Sequence, residues 1–183
     1  MVKYSRKTHR WPDSRFETER FFLCSLGAEH EPGMFEMFSS EDFTRYVPFE
    51  LFTDREKART DFLTKIAEGE RFKFHLAIEW KVPIDGDHNM AGFAMVRPSE
   101  DGAKMEIGYC VVPRFWGRGI GTEATKVLVD VIAPELGGKK EDLVAKIHPE
   151  NIGSIRLAEK CGFQLMEETC DETGPHLVLH WKG

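Results

Sequence analysis

Three glycines spaced by two, Gly117, Gly119 and Gly121, separate a β-like run from an amphipathic one. A strand–turn–helix junction of this kind has one obvious chemical use, which is to hold an anion. The first turn of a helix carries N–H groups without helical partners and the positive end of the macrodipole. Glycine removes the Cβ atoms that would keep a ligand at a distance. The amides of Arg118, Gly119, Ile120, Gly121 and Thr122 can therefore converge on one diphosphate. Two familiar diphosphate sites are excluded. A nucleoside-triphosphate loop ends in Gly-Lys-Ser/Thr, and the run here is Gly121-Thr122-Glu123. A dinucleotide fingerprint wants its third glycine where Thr122 stands and an acid after the next strand, whereas Glu141 and Asp142 precede that strand. On these residues alone the kind of diphosphate stays open.

The elements that must position this loop follow from periodicity. Residues 18–26 read as a first strand, and His30 to Val47 as one broken helix rich in Met and Phe. Thr53-Asp54 cap a helix over 54–68, where Ala58, Phe62, Leu63, Ile66 and Ala67 recur at helical spacing. Phe72 to Trp80 and Met90 to Val96 flank the turn-forming run Pro83 to Asn89. After a turn from Pro98 to Gly102, Lys104 to Val112 completes a meander. Beyond the glycines, Ala124, Val127, Leu128, Val131 and Ile132 define a one-faced helix that stops near Pro134 and Gly137-Gly138. A strand over Leu143 to Ile147, a helix over Asn151 to Lys160 stopped by Gly162, and a hairpin of Phe163 to Cys170 with His176 to Trp181 complete the chain. The order predicts a mixed α/β layer with helices on its faces.

Composition bounds the rest. The 183 residues suit a 1–16 extension and a single domain over 17–183, long enough for a core without staples. No apolar run approaches the ~20 residues of a membrane span, and Met1 to Trp11 lacks the apolar region of a secretory signal. A cytoplasmic protein is expected, with no membrane partner. The net charge of −6 argues against nucleic acid. Cys24, Cys110, Cys161 and Cys170 are scattered without a C-x-x-C pair, so no metal is expected. His176 and His180, four apart on one strand face, stand ~13 Å apart, too far to share an ion. The acids Glu167-Glu168 and Asp171-Glu172 fall in the last hairpin and suit a cationic partner or plain solvation.

The stretch Glu106-Ile107-Gly108-Tyr109, Pro113 and Trp116-Gly117-Arg118-Gly119-Ile120-Gly121-Thr122-Glu123-Ala124 resembles the GNAT N-acetyltransferases. Asn151-Ile152-Gly153-Ser154 followed by Glu159-Lys160-Cys161-Gly162-Phe163 matches that family's second motif in the correct order. Within the family the chain resembles the branch that acetylates the N-termini of ribosomal proteins, with Glu17-Thr18-Glu19-Arg20 and Arg45-Tyr46-Val47-Pro48 fitting its N-terminal third. Trp116 stands where Gln or Arg often stands, and Cys24 where the branch tends to have Arg.

The resemblance implies a mostly antiparallel seven-stranded sheet splayed in a V, with helices on both faces. It implies acetyl-CoA as co-substrate, its pyrophosphate on the glycine loop. The pantetheine arm would pair with backbone at Cys110, Val111 and Val112. The acceptor would be a primary amine, the resemblance pointing to a protein N-terminal α-amine; a small amine such as a polyamine or antibiotic is the alternative, as is a silent acyl-CoA-binding protein. Homodimerisation is left open. Aminolysis of a thioester needs a neutral amine, and an α-amine of pKa ~8 requires only a modest base. Glu106 is the candidate base, a backbone N–H near Val111 the oxyanion donor, and Ser154 the hydrogen-bond donor to sulfur. Asn151 caps its helix and is a candidate for holding the pantetheine amide. Tyr109 falls on the opposite strand face from Glu106 and is set aside.

Overall fold

A computed structural model of the chain describes residues 15–47, 51–68, 75–82, 84, 88–99 and 102–183. The expected extension up to residue 14, Pro48, the first residues of the strand expected from Phe72, most of the Pro83–Asn89 turn and residues 100–101 of the next lie outside the described residues. Hydrogen bonding orders eight strands as β1-β2-β3-β4-β5-β6-β8-β7 in an open sheet, flanked by helices. The eighth strand is β1 (Phe16–Glu17), which pairs antiparallel with β2 (Phe21–Ser25). Two residues are too few for periodicity to reveal, and the turn between them is tied by Thr18, whose amide and hydroxyl both donate to the Phe21 carbonyl. The chain forms two compact units, one running to Ala94 and taking in Cys110–Ile120, the other holding Met95–Tyr109 and Gly121–Gly183.

In the first unit, β2 buries Phe21 and Leu23 and turns Phe22 and Cys24 the other way, as a two-residue period requires. It pairs antiparallel with β3 (His75–Trp80). The expected broken helix is two helices, α1 (Glu31–Phe38) and α2 (Glu41–Thr44), after a single turn at Ala28–His30. The break falls at Ser39-Ser40, where the Ser40 side chain accepts from the Phe43 amide and starts a new helix. In α3 (Arg55–Glu68) the Asp54 carboxylate accepts from the Lys57 amide at 3.0 Å, and Ala58 and Phe62 face inward.

The strands β4 (Met90–Pro98) and β5 (Met105–Val111) begin or end in each unit. In the second unit β5 pairs in parallel with β6 (Leu143–Ile147) at Met105↔Leu143 and Glu106↔Val144. The pairing stops after Glu106↔Val144 although both strands run on, which fits the splay that the resemblance implies. The helix α4 (Ile120–Val127) continues through one π turn at Leu128–Ile132 into a last turn, α5 (Ala133–Glu135). The π turn admits an extra residue. The inward face therefore runs through Ala124, Leu128, Val129, Ile132 and Ala133, while Val131 is exposed, a correction to the expected face. Gly162, at φ +90, ends α6 (Ile152–Lys160) as expected. The hairpin of β7 (Phe163–Asp171) and β8 (Gly174–Trp181) turns on Glu172-Thr173 alone. β7 lies at the sheet edge, and every residue in it after Phe163 is exposed.

Candidate functional site

The glycine loop divides its labour. Gly117 and Gly119 both have φ +75, a left-handed conformation that L side chains resist. Gly121 serves packing instead, since a Cβ there would lie 2.6 Å from Tyr109 and 2.8 Å from Leu157. Ile120 is fully buried and fixes the first turn of α4, while Gly117, Arg118 and Gly119 are exposed and Thr122 is half-buried. The amides of the first turn of α4 have no helical acceptor and so are available to an anion.

Within the first unit the loop is held from three sides. Phe115 is buried and packs edge-on against Trp80 at 5.4 Å. The Arg114 guanidinium sits 3.3 Å from the Glu36 carboxylate, which also holds buried His88 at 2.9 Å. Arg20 donates from Nη1 to the Arg118 carbonyl at 2.7 Å, with its Nη2 close by Gly119. A positive charge thus stands beside the glycine loop, carried there by the turn between β1 and β2.

The end of β5 narrows the expected pantetheine backbone. The Val112 amide donates to the Ala91 carbonyl at 2.9 Å, and the Cys110 carbonyl lies where a Cβ on Gly92 would meet it at 2.0 Å. Both residues thus turn backbone groups toward β4. Alternation points the amide and carbonyl of Val111 away from β4. The Val111 carbonyl accepts from the Trp116 indole at 2.7 Å, leaving the Val111 amide as the donor aimed outward.

In the second unit, Asn151 caps α6 by accepting from the Ser154 amide at 3.1 Å. The Ser154 hydroxyl oxygen accepts in turn from the Tyr109 hydroxyl, also at 3.1 Å. Asn151, Ser154 and Tyr109 therefore form one cluster, and Tyr109, set aside from sequence, belongs to it. Glu106 does not join them. Its carboxylate, 12% exposed, accepts a two-pronged set of bonds from Arg97 at 3.0–3.3 Å, on the other strand face from Tyr109. The alternation argument placed Glu106 and Tyr109 on opposite faces correctly, but the serine sits on the tyrosine's face.

Burial pushes the Cys110 thiol up to about 12. Burial, then the neighbouring Glu79 carboxylate, does the same to Cys24, again to about 12. Neither is an active nucleophile near neutrality. His176 bonds within its own turn, to Thr173 at 2.7 Å and Asp171 at 3.2 Å. The Thr173 hydroxyl and amide hold the exposed Asp171 carboxyl down at about 2. His148 Nδ1 accepts from the Glu150 amide at 3.2 Å. Glu167, Glu168 and Glu172 are exposed. Among the described residues no helix is long and apolar enough to cross a membrane.

Residues 20–164 match the model of the acetyltransferase (GNAT) domain. An uncharacterized N-acetyltransferase, p20, from Bacillus licheniformis is 29% identical over 151 residues, covering 80% of each chain. A GNAT-family acetyltransferase from Bacillus anthracis superposes with a TM-score of 0.71 at 19% identity, covering 91% of this chain and 95% of that one. The aminoglycoside acetyltransferase AAC(6′)-Ib in complex with coenzyme A superposes at 0.63 with 15% identity, covering 86% and 91%. The likeness to these structures is one of fold; the domain match, falling on the strand, glycine loop and capped helix just described, shows more. The chain belongs to the GNAT acetyltransferase family and is an acyl-CoA-dependent acetyltransferase.

Proposed function

We propose that the chain transfers the acetyl group of acetyl-CoA to a primary amine by direct attack, with a small cationic amine as acceptor. The observation that carries the donor side is the pair of positive-φ glycines opening α4, with Arg20 bonded to the loop between them. The amides of Gly117 to Thr122 hold the pyrophosphate, and Asn151 with the outward backbone of Val111, rather than that of Cys110 or Val112, receives the pantetheine arm. The amine nitrogen attacks the thioester carbon. The Val111 amide takes the developing oxyanion, and the proton of the ammonium passes to Glu106 or through water to solvent. As the carbon–sulfur bond breaks, the Ser154 hydroxyl donates to sulfur while Tyr109 donates to Ser154, so the second bond makes the first donor stronger. Arg97 must release one carboxylate oxygen for Glu106 to accept.

The small-amine reading draws support from the aminoglycoside acetyltransferase that shares the fold, and from the exposed acids Glu167, Glu168 and Glu172. The resemblance of the first motif to ribosomal-protein N-terminal acetyltransferases supports a protein α-amine as the second reading. Thiol release from acetyl-CoA, measured with matched panels of polyamines, aminoglycosides and N-terminal peptides, separates them. Turnover confined to peptides overturns the small-amine reading. Tight CoA binding without turnover on any acceptor overturns both in favour of a silent binding protein.

A further inference from the structure

A second cluster lies within the first unit and takes no part in this chemistry. Cys24 on β2, His30 in the turn before α1, and Glu79 on β3 bring one sulfur, one imidazole nitrogen and one carboxylate oxygen within 4.8 Å of one another. The strand register explains the convergence. Phe22 pairs with Glu79 and Cys24 with Ala77, so Cys24 and Glu79 are diagonal neighbours on one sheet face. The turn at Ala28–His30 folds the imidazole over that face and buries it to 3% exposure. Scattered spacing in the sequence concealed this, because the three residues come from three elements.

We propose that Cys24, His30 and Glu79 bind a divalent transition-metal ion of zinc type. Thiolate, imidazole and carboxylate are the ligands such an ion takes, and three protein ligands leave the fourth tetrahedral position to water. The charges of thiolate and carboxylate cancel those of the dication, which suits a half-buried place. Metal bonds of about 2.0 Å set tetrahedral nitrogen and oxygen ligands roughly 3.3 Å apart. His30 Nε2 and Glu79 Oε1 already stand at 3.2 Å.

The supporting groups are also present. A metal-bound imidazole donates its other N–H to a carbonyl or carboxylate. His30 Nδ1 has the Gly27 carbonyl at 3.3 Å and the Glu29 carboxylate at 3.7 Å. Without metal the Gly27 amide donates to Nδ1 at 2.9 Å, so Nε2 carries the ring proton toward Glu79. Loading moves that proton from Nε2 to Nδ1, where the Gly27 carbonyl or the Glu29 carboxylate accepts its hydrogen bond and the Gly27 amide gives up its bond to the ring. It releases one proton, from the Cys24 thiol. Arg15, 3.4 Å from Glu79 Oε2, keeps the second carboxylate oxygen while the first turns to the ion. Such an ion would join β2, β3 and the entry to α1.

The test uses the full chain, stripped with chelator and titrated with Co²⁺ alone. One equivalent is expected to bind with a thiolate-to-cobalt charge-transfer band, displaced by Zn²⁺, and Zn²⁺ is expected to raise Tm. Cys24→Ser, which keeps a hydroxyl donor toward Glu79, should lose the band and the Tm rise. Glu79→Gln removes a ligand and should weaken binding beyond the roughly 10–100-fold that loss of a supporting group costs. Cys161→Ser and Cys170→Ser should leave the band intact. Absence of the band in the native chain overturns the proposal, as does a band that survives Cys24→Ser. The readouts need no acetyl transfer, so they stand or fall apart from the function proposed above.

Discussion

The bond from Tyr109 to Ser154 has a direction, and the direction has a consequence. A phenol is a better proton donor than an aliphatic hydroxyl, so Tyr109 donates and Ser154 is left with its own proton to give. Tyr109→Phe keeps the ring that packs beside Gly121 and removes only the donor. Steady-state kinetics should show kcat down by about 10-fold with KM for acetyl-CoA nearly unchanged, the sign of an interaction made in the transition state. Ser154→Ala should cost more, and the double variant should equal Ser154→Ala if the two act in series. Arg20 bears on the loop proposed for the pyrophosphate. Its guanidinium secures the carbonyl of Arg118, so Arg20→Ala should raise KM for acetyl-CoA by roughly 10-fold and leave kcat alone, with Arg20→Lys in between. Sequence reasoning reached Ser154 and the loop but not these two supports. Alternation along one strand says which side chains share a face, yet it does not say which helix covers that face. Nor does it show that a turn nearly a hundred residues earlier lends its arginine to the loop.

At the level of elements, two glycines are needed for different reasons. Gly92 on β4 leaves no room for a methyl group, because the Cys110 carbonyl and Val111 Cα would lie 2.0 and 2.9 Å away. Gly92→Ala should therefore push β4 from β5 and cost more than about 3 kcal/mol in denaturant titration, together with activity. Gly117→Ala meets no neighbour, and its cost of about 1 kcal/mol should come from its left-handed backbone alone. The pattern of elements was readable from the sequence, since period, caps and stops agree from α3 to β8. What escaped was a change of backbone pitch. The residues of α4 carry a 3.6-residue period on paper, but the π turn at Leu128–Ile132 rotates the following turn, so that Ala133 takes the inward place expected for Val131. No residue type announces a π turn.

For the molecule as a whole, one pH dependence runs through His180. Burial, with Lys104 and Lys182 adding to it, pushes its imidazole below the ordinary 6.5. The folded state then holds that proton less readily than the unfolded chain. The resulting stabilisation is complete above the unfolded value and is lost as pH falls through the lower folded one. Thermal melts from about pH 7 down to about pH 5 should show Tm falling, and His180→Gln should flatten that fall. The edge strand β7 has a different bearing on the whole. Among the described residues its outer side has no strand partner, and Leu165 and Met166 are each more than half exposed. Such an edge is a template on which other chains can stack. Glu167 and Glu168 sit in the middle of it, so two molecules meeting edge to edge bring like charges together. Whatever these glutamates do for a cationic acceptor, they also act as gatekeepers of colloidal behaviour. Glu167→Gln with Glu168→Gln should leave the melt unchanged while light scattering of concentrated solutions rises, most of all when salt screens what charge remains.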